Sequence, residues 1–284
     1  MKNHLIKKKI VVGYLGSNSV LARSFKKKYF KKFSFKTYHG DITNLKKISS
    51  WIKKNTDINI IINFAAITSP KICEKFKKKA KEVNYSSVVK LLNFMNKDKK
   101  CDNFYYFLSI STSHVFKKSN LKLKENSEKK PSNYYGKSKL ALEKYILNNQ
   151  NKFKFNVGIA RIFNYYNQGL KKGFFVNDVV KKLKENKNTA TFYNINSYRD
   201  FISMEDINKG LFKMINLKLK NDYNICSGQK IYLPSIIYFL NKKFKKKIII
   251  INNKINYNLL GSNSKLKSKG WSITQKNFFN ELQK

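Results

Sequence analysis

The sequence predicts an α/β fold in which a doubly wound parallel sheet is joined to a smaller, irregular C-terminal lobe. In the first half of the chain, short β-branched runs alternate with longer helical patterns. Strands separated by helices need crossover connections, so they should form a parallel sheet covered on both faces. The predicted strands are residues 10–15, 33–38, 58–63, 104–110 and 157–162.

The second observation is a change of pattern after Asn164, where short strands mix with helices. It predicts two domains, residues 1–164 and 165–284, with some segments of one interleaved with the other. The chain has 284 residues, of which 42% are hydrophobic and 14% aromatic, so it can bury a large core and is not disordered as a whole.

The charge is strongly positive, with 60 Lys+Arg against 16 Asp+Glu and a formal net charge of +44. Only Arg23, Arg161 and Arg199 are arginines, and the abundant residue types are those that AT-rich codons encode. We interpret the charge as compositional drift over solvated surfaces, because a dedicated nucleic-acid site would more often use arginine. Nucleic acid is therefore not an expected partner.

The three cysteines are scattered and form no CxxC pair, so neither a disulfide framework nor a metal site is predicted. This usage is typical of a reducing cytosol and predicts a cytoplasmic protein. The apolar run at residues 10–15 is too short for a signal peptide, and no stretch reaches the ~18 apolar residues of a membrane span. No membrane association is expected.

A glycine-containing turn follows the first predicted strand and can be placed in two registers, Gly13, Gly16 and Ser19 or Gly16, Ser19 and Ala22. The following helix must turn apolar residues toward the sheet. In the first register the inward positions include two lysines; in the second they are Phe25, Tyr29 and Phe30. The second register is therefore preferred.

Such a turn lets the backbone approach a pyrophosphate, while the helix N-terminus supplies free N–H groups and a positive dipole end. Ser19 stands where glycine is usual; its hydroxyl could bind a phosphate, but a positive φ there would be strained. Downstream, Asp41 follows a short connection, and Ala65 and Ala66 end the next strand. Small side chains there leave room for a flat ligand, although close packing explains them nearly as well.

Tyr135 and Lys139 lie four residues apart at a predicted helix start, which places them on one helix face. A nearby ammonium lowers the pKa of a phenol from about 10, as needed to exchange a proton with an alcohol. The neighbouring Tyr134 has Ser138 at the same spacing and lacks the charge. Upstream, a strand runs into hydroxyl residues that could polarise a carbonyl or simply cap the strand: Ser109, Ser111, Thr112 and Ser113.

In this order, these features resemble the extended short-chain dehydrogenase/reductases, specifically the NAD(P)-dependent epimerase/dehydratase family that acts on nucleotide-diphosphate sugars. The likeness continues through "EVNYSS" with Asn84, "ARIFN" from residue 160, "YRDFISMEDI" from residue 198, "YNICSG" from residue 223 and "NSKLKSKGW" from residue 263. The resemblance implies a Rossmann-type NAD(P)-binding domain, a substrate-binding C-terminal lobe, and a cofactor that is NAD or NADP.

The resemblance implies cofactor-binding roles for Gly16, Ser19, Ala22, Asp41, Ile42, Ala65, Ala66, Asn84 and Lys139. The first three would cradle the pyrophosphate, the next two would flank the adenine, the alanines would pass beneath the cofactor, and the lysine would hold the nicotinamide ribose. Thr112, Tyr135 and Lys139 would be the catalytic residues. Thr112, Tyr135, Asn164 and Arg199 would contact the sugar nucleotide, although Arg199 could instead pair with Asp200 or Glu205.

Two departures from the family pattern matter. Dehydratases follow the catalytic Thr with an Asp-Glu pair, whereas Ser113 and His114 stand here, so a 4,6-dehydratase is not expected. His114 could be a polar contact near the substrate or a structural histidine. A strand-end acidic residue for the NAD ribose is missing, while Lys36 and His39 could accept a 2′-phosphate, which favours NADP over NAD.

The function predicted from these residues is NAD(P)-dependent oxidoreduction of a nucleotide-diphosphate sugar, either as an epimerase or as a keto-sugar reductase. The alternative is a catalytically degenerate relative that binds dinucleotide or, through its basic surface, RNA. The resemblance also implies a homodimer that uses the helix carrying Tyr135. Leu140, Leu142 and Ile146 could support that contact, though core packing explains them equally.

Overall fold

Apolar, β-branched runs build one central sheet in the computed structural model, which describes residues 9–166, 174–253 and 258–283. The strands are β1 Ile10–Leu15, β2 Phe33–Thr37, β3 Ile60–Asn63, β4 Tyr106–Thr112, β5 Asn156–Ile162, β6 Asn164–Tyr165, β7 Thr189–Tyr193, β8 Tyr198–Arg199, β9 Phe201–Ile202, β10 Asn221–Ile225, β11 Ile231–Tyr232 and β12 Lys247–Ile251. Six of them form a sheet in the order β10-β5-β4-β3-β1-β2.

Helices connect the strands, as parallel pairing requires. They are α1 Val20–Tyr29, α2 Leu45–Lys54, α3 Pro70–Lys75, α4 Lys77–Lys81, α5 Ser87–Lys97, α6 Tyr134–Asn149, α7 Phe175–Leu183, α8 Met204–Asn216, α9 Leu233–Asn241, α10 Ser264–Lys267 and α11 Phe278–Gln283. A π-helical turn, Glu82–Ser86, leads into α5. β1 pairs with β2 and β3, and β3 with β4, all in parallel.

The predicted α/β fold with a parallel sheet is confirmed, and the five predicted strands differ from β1 to β5 by at most two residues at either end. The largest difference is in β4, which runs on to Thr112, so that Ser109, Ser111 and Thr112 lie in the strand itself. Three two-stranded sheets, β11-β8, β12-β7 and β6-β9, account for the irregular pattern after Asn164.

The described chain divides into two compact units, each assembled from separate segments. The first contains the chain up to Ile110, Ala141–Ile159 and Met214–Asn221; the second contains Ser111–Leu140, Ala160–Lys213 and the chain from Asp222 onward. The domain boundary predicted after residue 164 stays a prediction.

The core of the first unit packs helices α2 and α5 against the sheet strands. Ile48 and Ile52 of α2 and Leu91, Leu92 and Met95 of α5 are buried in it. These residues recur at helical spacing on one face, which is the pattern that predicts a helix covering a sheet. Burial of this kind stabilises by roughly 1.5–3 kcal/mol for each large aliphatic side chain.

The core of the second unit packs α7 against α9, with Val176 and Val179 on one helix and Ile236 and Ile237 on the other. A buried ion pair joins Arg161 to Asp222 in the same unit.

Asp200 ties three segments of the second unit together. Its carboxylate accepts hydrogen bonds from the backbone N–H and hydroxyl of Ser227 and from the backbone N–H groups of Gly228 and Gly261. The conspicuous "YRDF" and "YNICSG" stretches therefore meet at one buried carboxylate.

Leu140, Leu142 and Ile146 are buried inside the chain itself. Leu142 and Ile146 belong to the core of the first unit, and Leu140 packs in a cluster of the second. Core packing accounts for all three, so they supply no argument for a dimer, and the homodimer stays a prediction.

Candidate active site

The turn after β1 is built around Gly16. Its φ is +72°, and a Cβ at this position would overlap the backbone nitrogen of Ala65 and lie 2.6 Å from its Cα. Only glycine satisfies both conditions, because other residues are strained at positive φ and the obstructing atoms belong to the backbone. Gly13, by contrast, lies within β1 and pairs with Lys36 and Ile61.

Helix α1 begins directly after this turn, and Ser19 is its N-cap. The φ of Ser19 is −70°, so the strain considered for a serine there does not arise. Its Oγ accepts a hydrogen bond from the backbone N–H of Ala22 at 3.1 Å, as a capping serine does. The Ser19 hydroxyl can still donate its proton to a ligand, and the other N–H groups of the first turn point toward the N-terminal end of the helix.

Helix α1 buries Phe25 and Tyr29 against the sheet, as the chosen register predicts, but Phe30 is 57% exposed. The expectation for Phe30 was wrong because its backbone is still helical, and a step of roughly 100° per residue turns its side chain away from the face that carries Phe25 and Tyr29.

A cavity of about 320 Å³ opens at this turn. We refer to it as the cofactor cavity; it is lined by Leu15, Gly16, Ser17, Asn18, Ser19, Tyr38, His39, Gly40, Ile42, Phe64, Ala65 and Ala66. Five of the predicted cofactor residues are in this lining: Gly16, Ser19, Ile42, Ala65 and Ala66. The glycine cradle, the N-terminus of α1 and the small strand-end residues fit the pyrophosphate of a dinucleotide.

Three predicted cofactor residues of this unit lie outside the lining. Ala22 is completely buried in α1, and its carbonyl accepts a hydrogen bond from the phenol of Tyr14, so it serves close packing. Asp41 is exposed and accepts a hydrogen bond from Thr43 N at 2.9 Å, which lowers the pKa of its carboxyl. It shapes the turn before α2.

The third, Asn84, lies in the π-helical turn and is completely buried. Its Oδ1 accepts from Ile67 N at 2.8 Å, and its Nδ2 donates to Ile67 O at 3.0 Å. The side chain thereby bonds both backbone groups of Ile67, as a neighbouring strand would, and holds the segment that follows Ala65 and Ala66. A π-helical turn at this position is in keeping with the frequent occurrence of such turns at functional sites.

The two basic residues considered for a 2′-phosphate differ in their surroundings. Lys36 forms an ion pair with Asp57 at 2.6 Å, so its charge already has a partner. His39 lines the cofactor cavity. No Asp or Glu is found among the described residues that line this cavity.

Gly40 and Phe64 line the cavity but are not among the residues predicted from the sequence, and Tyr38 lines it at a position considered only because no acidic residue stands there. These residues follow β2 and β3, the two strands that flank β1 in the sheet. The rule that ligands lie beyond the carboxyl ends of adjacent parallel strands would have indicated them.

In the second unit, Thr112 ends β4 and is buried. Its Oγ1 accepts a hydrogen bond from the backbone N–H of His114 at 3.3 Å, at the start of a short 3-10 helix, Ser113–Val115. The hydroxyl proton of Thr112 is then free to point elsewhere as a donor.

Tyr135 and Lys139 both lie in the first half of α6 and are buried, with Lys139 only 3% exposed. The helical spacing places them on one face, as predicted. The ring of Tyr135 meets that of His114 edge to face, with centroids 5.7 Å apart. A buried lysine one turn from a buried tyrosine is the arrangement in which an ammonium promotes ionisation of a phenol.

His114 has a defined environment in the same unit. Its Nδ1 lies 3.0 Å from Asn133 Nδ2, and burial together with the charge of Arg199 lowers the pKa of its imidazole from 6.5 to about 4. The ring is therefore neutral at neutral pH.

Arg199 and Asn164 are partly committed to the backbone. Nη1 of Arg199 donates to Ser197 Oγ and to Tyr198 O, and Asn164 Nδ2 donates to Asp200 O at 3.1 Å. The carboxylates considered as partners of Arg199 have other contacts, since Asp200 accepts from backbone groups and Glu205 pairs with Lys209. Burial lowers the pKa of Arg199, and its charge acts on His114.

The model of the NAD dependent epimerase/dehydratase family matches residues 5–226. The chain belongs to this family. A GDP-6-deoxy-D-talose 4-dehydrogenase from Aggregatibacter actinomycetemcomitans is 31% identical over 123 residues, which is 43% of this chain and 41% of that relative. The match thus spans less than half the length of that protein.

Solved structures of low sequence identity share this epimerase/dehydratase fold. RMD from Pseudomonas aeruginosa, complexed with NADPH, superimposes with a TM-score of 0.84 at 18% identity over 97% of each chain. UDP-glucose 4-epimerase of Thermus thermophilus, complexed with NAD, gives 0.80 at 14% identity over 95% of this chain and 96% of that one. In the part of the chain that the structure describes, each helix is too short or too polar to span a bilayer.

Proposed function

We propose that this protein is an NAD(P)-dependent oxidoreductase that interconverts a hydroxyl and a keto group on the sugar of a nucleotide-diphosphate sugar. The observation that carries the proposal is the buried set Thr112, Tyr135 and Lys139, in a chain whose family is dinucleotide-dependent. Burying a lysine is costly unless its charge is used, so a packing role alone is a poor explanation for this set.

The residues divide the chemistry as follows. Tyr135 takes the hydroxyl proton as the alcohol becomes a ketone and returns it in the reverse direction. Thr112 donates a hydrogen bond to the same oxygen, and Lys139 keeps the phenol acidic enough for the exchange. Gly16 and Ser19 hold the pyrophosphate of the dinucleotide. When bound, the nicotinamide of that dinucleotide accepts or supplies the hydride of the reacting carbon.

The environment of His114 argues against a dehydratase. Dehydration requires a base that removes a proton from carbon, and in a neutral imidazole only one nitrogen carries a lone pair. The N–H of Gly136 donates to Asn133 Oδ1, so the amide nitrogen of Asn133 faces His114 Nδ1, and the lone pair on Nδ1 is assigned as the acceptor of that hydrogen bond. His114 therefore has no basic atom to offer a substrate.

Within this class we propose net oxidation or reduction in preference to epimerisation, because the curated relative above is a 4-dehydrogenase of a GDP-6-deoxy sugar. We propose NADP as the preferred dinucleotide, since His39 lines the cofactor cavity and no acidic side chain in that lining would repel a 2′-phosphate.

The test is turnover of GDP-, UDP-, dTDP- and CDP-linked sugars and keto sugars with NAD(H) or NADP(H), followed by nicotinamide absorbance and sugar analysis. Tyr135→Phe should lower kcat by about 10²–10⁴-fold, the usual contribution of a general acid or base. Tyr134→Phe, which alters the adjacent tyrosine, is the matched control and should keep near-normal kcat.

Sugar isomers formed without net cofactor conversion would make the enzyme an epimerase instead. Full activity of Tyr135→Phe would refute the assigned mechanism, and the absence of turnover and of ligand-induced stabilisation with all these compounds would refute the proposed function.

A further inference from the structure

A chain of hydrogen bonds connects the first turn of α6 to the end of β4. The backbone N–H of Gly136 donates to Asn133 Oδ1 at 2.8 Å, and Asn133 Nδ2 lies 3.0 Å from His114 Nδ1. The backbone N–H of His114 donates to Thr112 Oγ1 at 3.3 Å. Thr112 and the residue after Tyr135 are thus the two ends of one connected path.

The direction of these bonds follows from what each group can do. The N–H of Gly136 can only donate, so the Asn133 atom facing it must be the carbonyl oxygen, and the atom facing the imidazole must be the amide nitrogen. An amide nitrogen donates, so His114 Nδ1 accepts. The neutral ring therefore carries its proton on Nε2.

The backbone at this point is also tightly packed. A Cβ on Gly136 would overlap the carbonyl oxygen of His114 and lie 2.8 Å from Pro131 Cβ. The start of α6 thus lies directly against the His114 backbone, while the His114 ring meets the Tyr135 ring edge to face. His114 is thus contacted at its backbone by Gly136, at Nδ1 by Asn133 and at its ring by Tyr135.

We propose that His114 and Asn133 form a clamp that fixes Thr112 relative to Tyr135, and that the clamp holds only while the imidazole is neutral. The inference rests on the proposed function, because its consequence is the rate of the oxidoreduction. His114 and Asn133 are positioning residues in this scheme and do not contact the reacting atoms. A displacement of about 1 Å between catalytic groups can cost 10²-fold in rate.

The groups facing His114 favour the neutral ring. Arg199 of β8 opposes a second positive charge, Tyr135 of α6 presents its ring, and Asn133 presents an N–H to Nδ1. A protonated Nδ1 would point its hydrogen at the amide hydrogen of Asn133 and break the link.

Two substitutions of His114 distinguish the proposed clamp, which uses Nδ1, from a direct contact between Nε2 and the substrate. In His114→Asn the amide oxygen takes the place of Nδ1 and can still accept from Asn133. In His114→Gln the amide lies where Nε2 was, and the acceptor for Asn133 is lost. We expect His114→Asn to keep kcat within about threefold, and His114→Gln to lose about 10- to 100-fold in kcat with little change in KM.

Asn133→Ser supplies an independent variant. Serine is a good N-cap and can still accept from Gly136 N–H, but it is too short to reach the imidazole. It should reproduce the kcat loss of His114→Gln while the thermal midpoint stays close to that of the wild type. If His114→Gln and Asn133→Ser keep the wild-type kcat, or if His114→Asn is impaired as severely as His114→Gln, the clamp is wrong.

The tautomer can be measured without any substrate. The chain has three histidines, so ¹⁵N spectra of the imidazoles are simple, and His114→Asn identifies the His114 signals. We expect an unprotonated Nδ1 and a protonated Nε2 from neutral pH down to about pH 5. A proton on Nδ1 would overturn the clamp. Failure of the wild type to turn over any nucleotide sugar would defeat the proposed function alone, because this measurement does not depend on it.

Discussion

Replacement of Gly16 by alanine tests the cofactor cradle most directly. The new methyl group would overlap Ala65 N and lie 2.6 Å from Ala65 Cα, at a residue whose φ is +72°. The left-handed conformation alone costs a residue with a Cβ about 1–2 kcal/mol. The obstructing atoms are backbone and cannot rotate away, so either the turn or the segment after β3 must shift, which brings the expected destabilisation to about 2–4 kcal/mol.

Gly13→Ala is the matched control. Gly13 lies three residues earlier in β1, and its Cβ would come 3.0 Å from Cγ1 of Ile61, a side-chain atom that can give way. Urea unfolding should show a smaller loss for Gly13→Ala than for Gly16→Ala. Calorimetric titration with dinucleotide should show weakened binding only for Gly16→Ala, because only that turn faces the cofactor cavity.

The reasoning would be refuted if Gly16→Ala bound dinucleotide as tightly as the wild type. It would also be refuted if Gly13→Ala were the variant that lost binding, since that result would restore the first register of the turn.

Further predictions concern pH, cofactor choice and a buried ion pair. Because the pKa of His114 is about 4 when folded and 6.5 as a free side chain, its contribution to stability is present above pH 6.5 and lost as the pH falls toward 4. Burial raises the pKa of Asp200 from 3.8 to about 6, so its contribution has the opposite sign: it is present below pH 3.8 and lost as the pH rises through 6. The two nearly cancel in the wild type, but the difference in unfolding free energy between wild type and His114→Asn should grow by up to about 3 kcal/mol from pH 4 to pH 6.5. A constant difference would refute the assigned shift. His39→Ala should reduce the preference for NADP over NAD several-fold in kcat/KM, whereas Lys36→Ala, whose ammonium pairs with Asp57, should change it little; equal effects would contradict this assignment. Asp222→Ala should destabilise by about 3–5 kcal/mol in urea unfolding, because it leaves the buried Arg161 without its carboxylate; a loss below 1 kcal/mol would mean that other groups hold that charge.

Five of the six strands of the central sheet, β1 to β5, were predictable because each has its own local pattern of apolar residues. The sixth, β10 Asn221–Ile225, was not predicted, since its sequence NDYNI is mostly polar and carries no such pattern. The turn at Gly16 and the Tyr135–Lys139 pair were predictable because each depends on the spacing of residues that are close together in the sequence. Phe30 was misassigned because it directly follows Tyr29, and a step of roughly 100° around the helix turns its side chain off the buried face.

Contacts that depend on tertiary structure could not be read from the sequence. Asn84, for which a cofactor contact is predicted, also bonds through its side chain to the backbone of Ile67, 17 residues away, and no local pattern indicates that partner. Lys36, considered as a partner for a 2′-phosphate, forms an ion pair with Asp57, which lies 21 residues further along the chain. The Asn133–His114 link joins residues 19 apart, and neither residue carries a local signal for it.

The three arginines give a physical reason to regard the lysines as compositional drift. Arg161 and Arg199 each contact more than one group, which a single ammonium would serve less well. Arg161 pairs with Asp222 and lies over the ring of Phe116 while donating to Glu125 O. Arg199 donates to two acceptors beside His114, and Arg23 donates to Asn18 O in the turn that lines the cofactor cavity. If selection had built a nucleic-acid surface, arginine would be expected on that surface. Instead, two of the three arginines, Arg161 and Arg199, lie where the fold or the candidate site uses a planar, multi-donor cation, and lysine supplies almost all of the remaining positive charge.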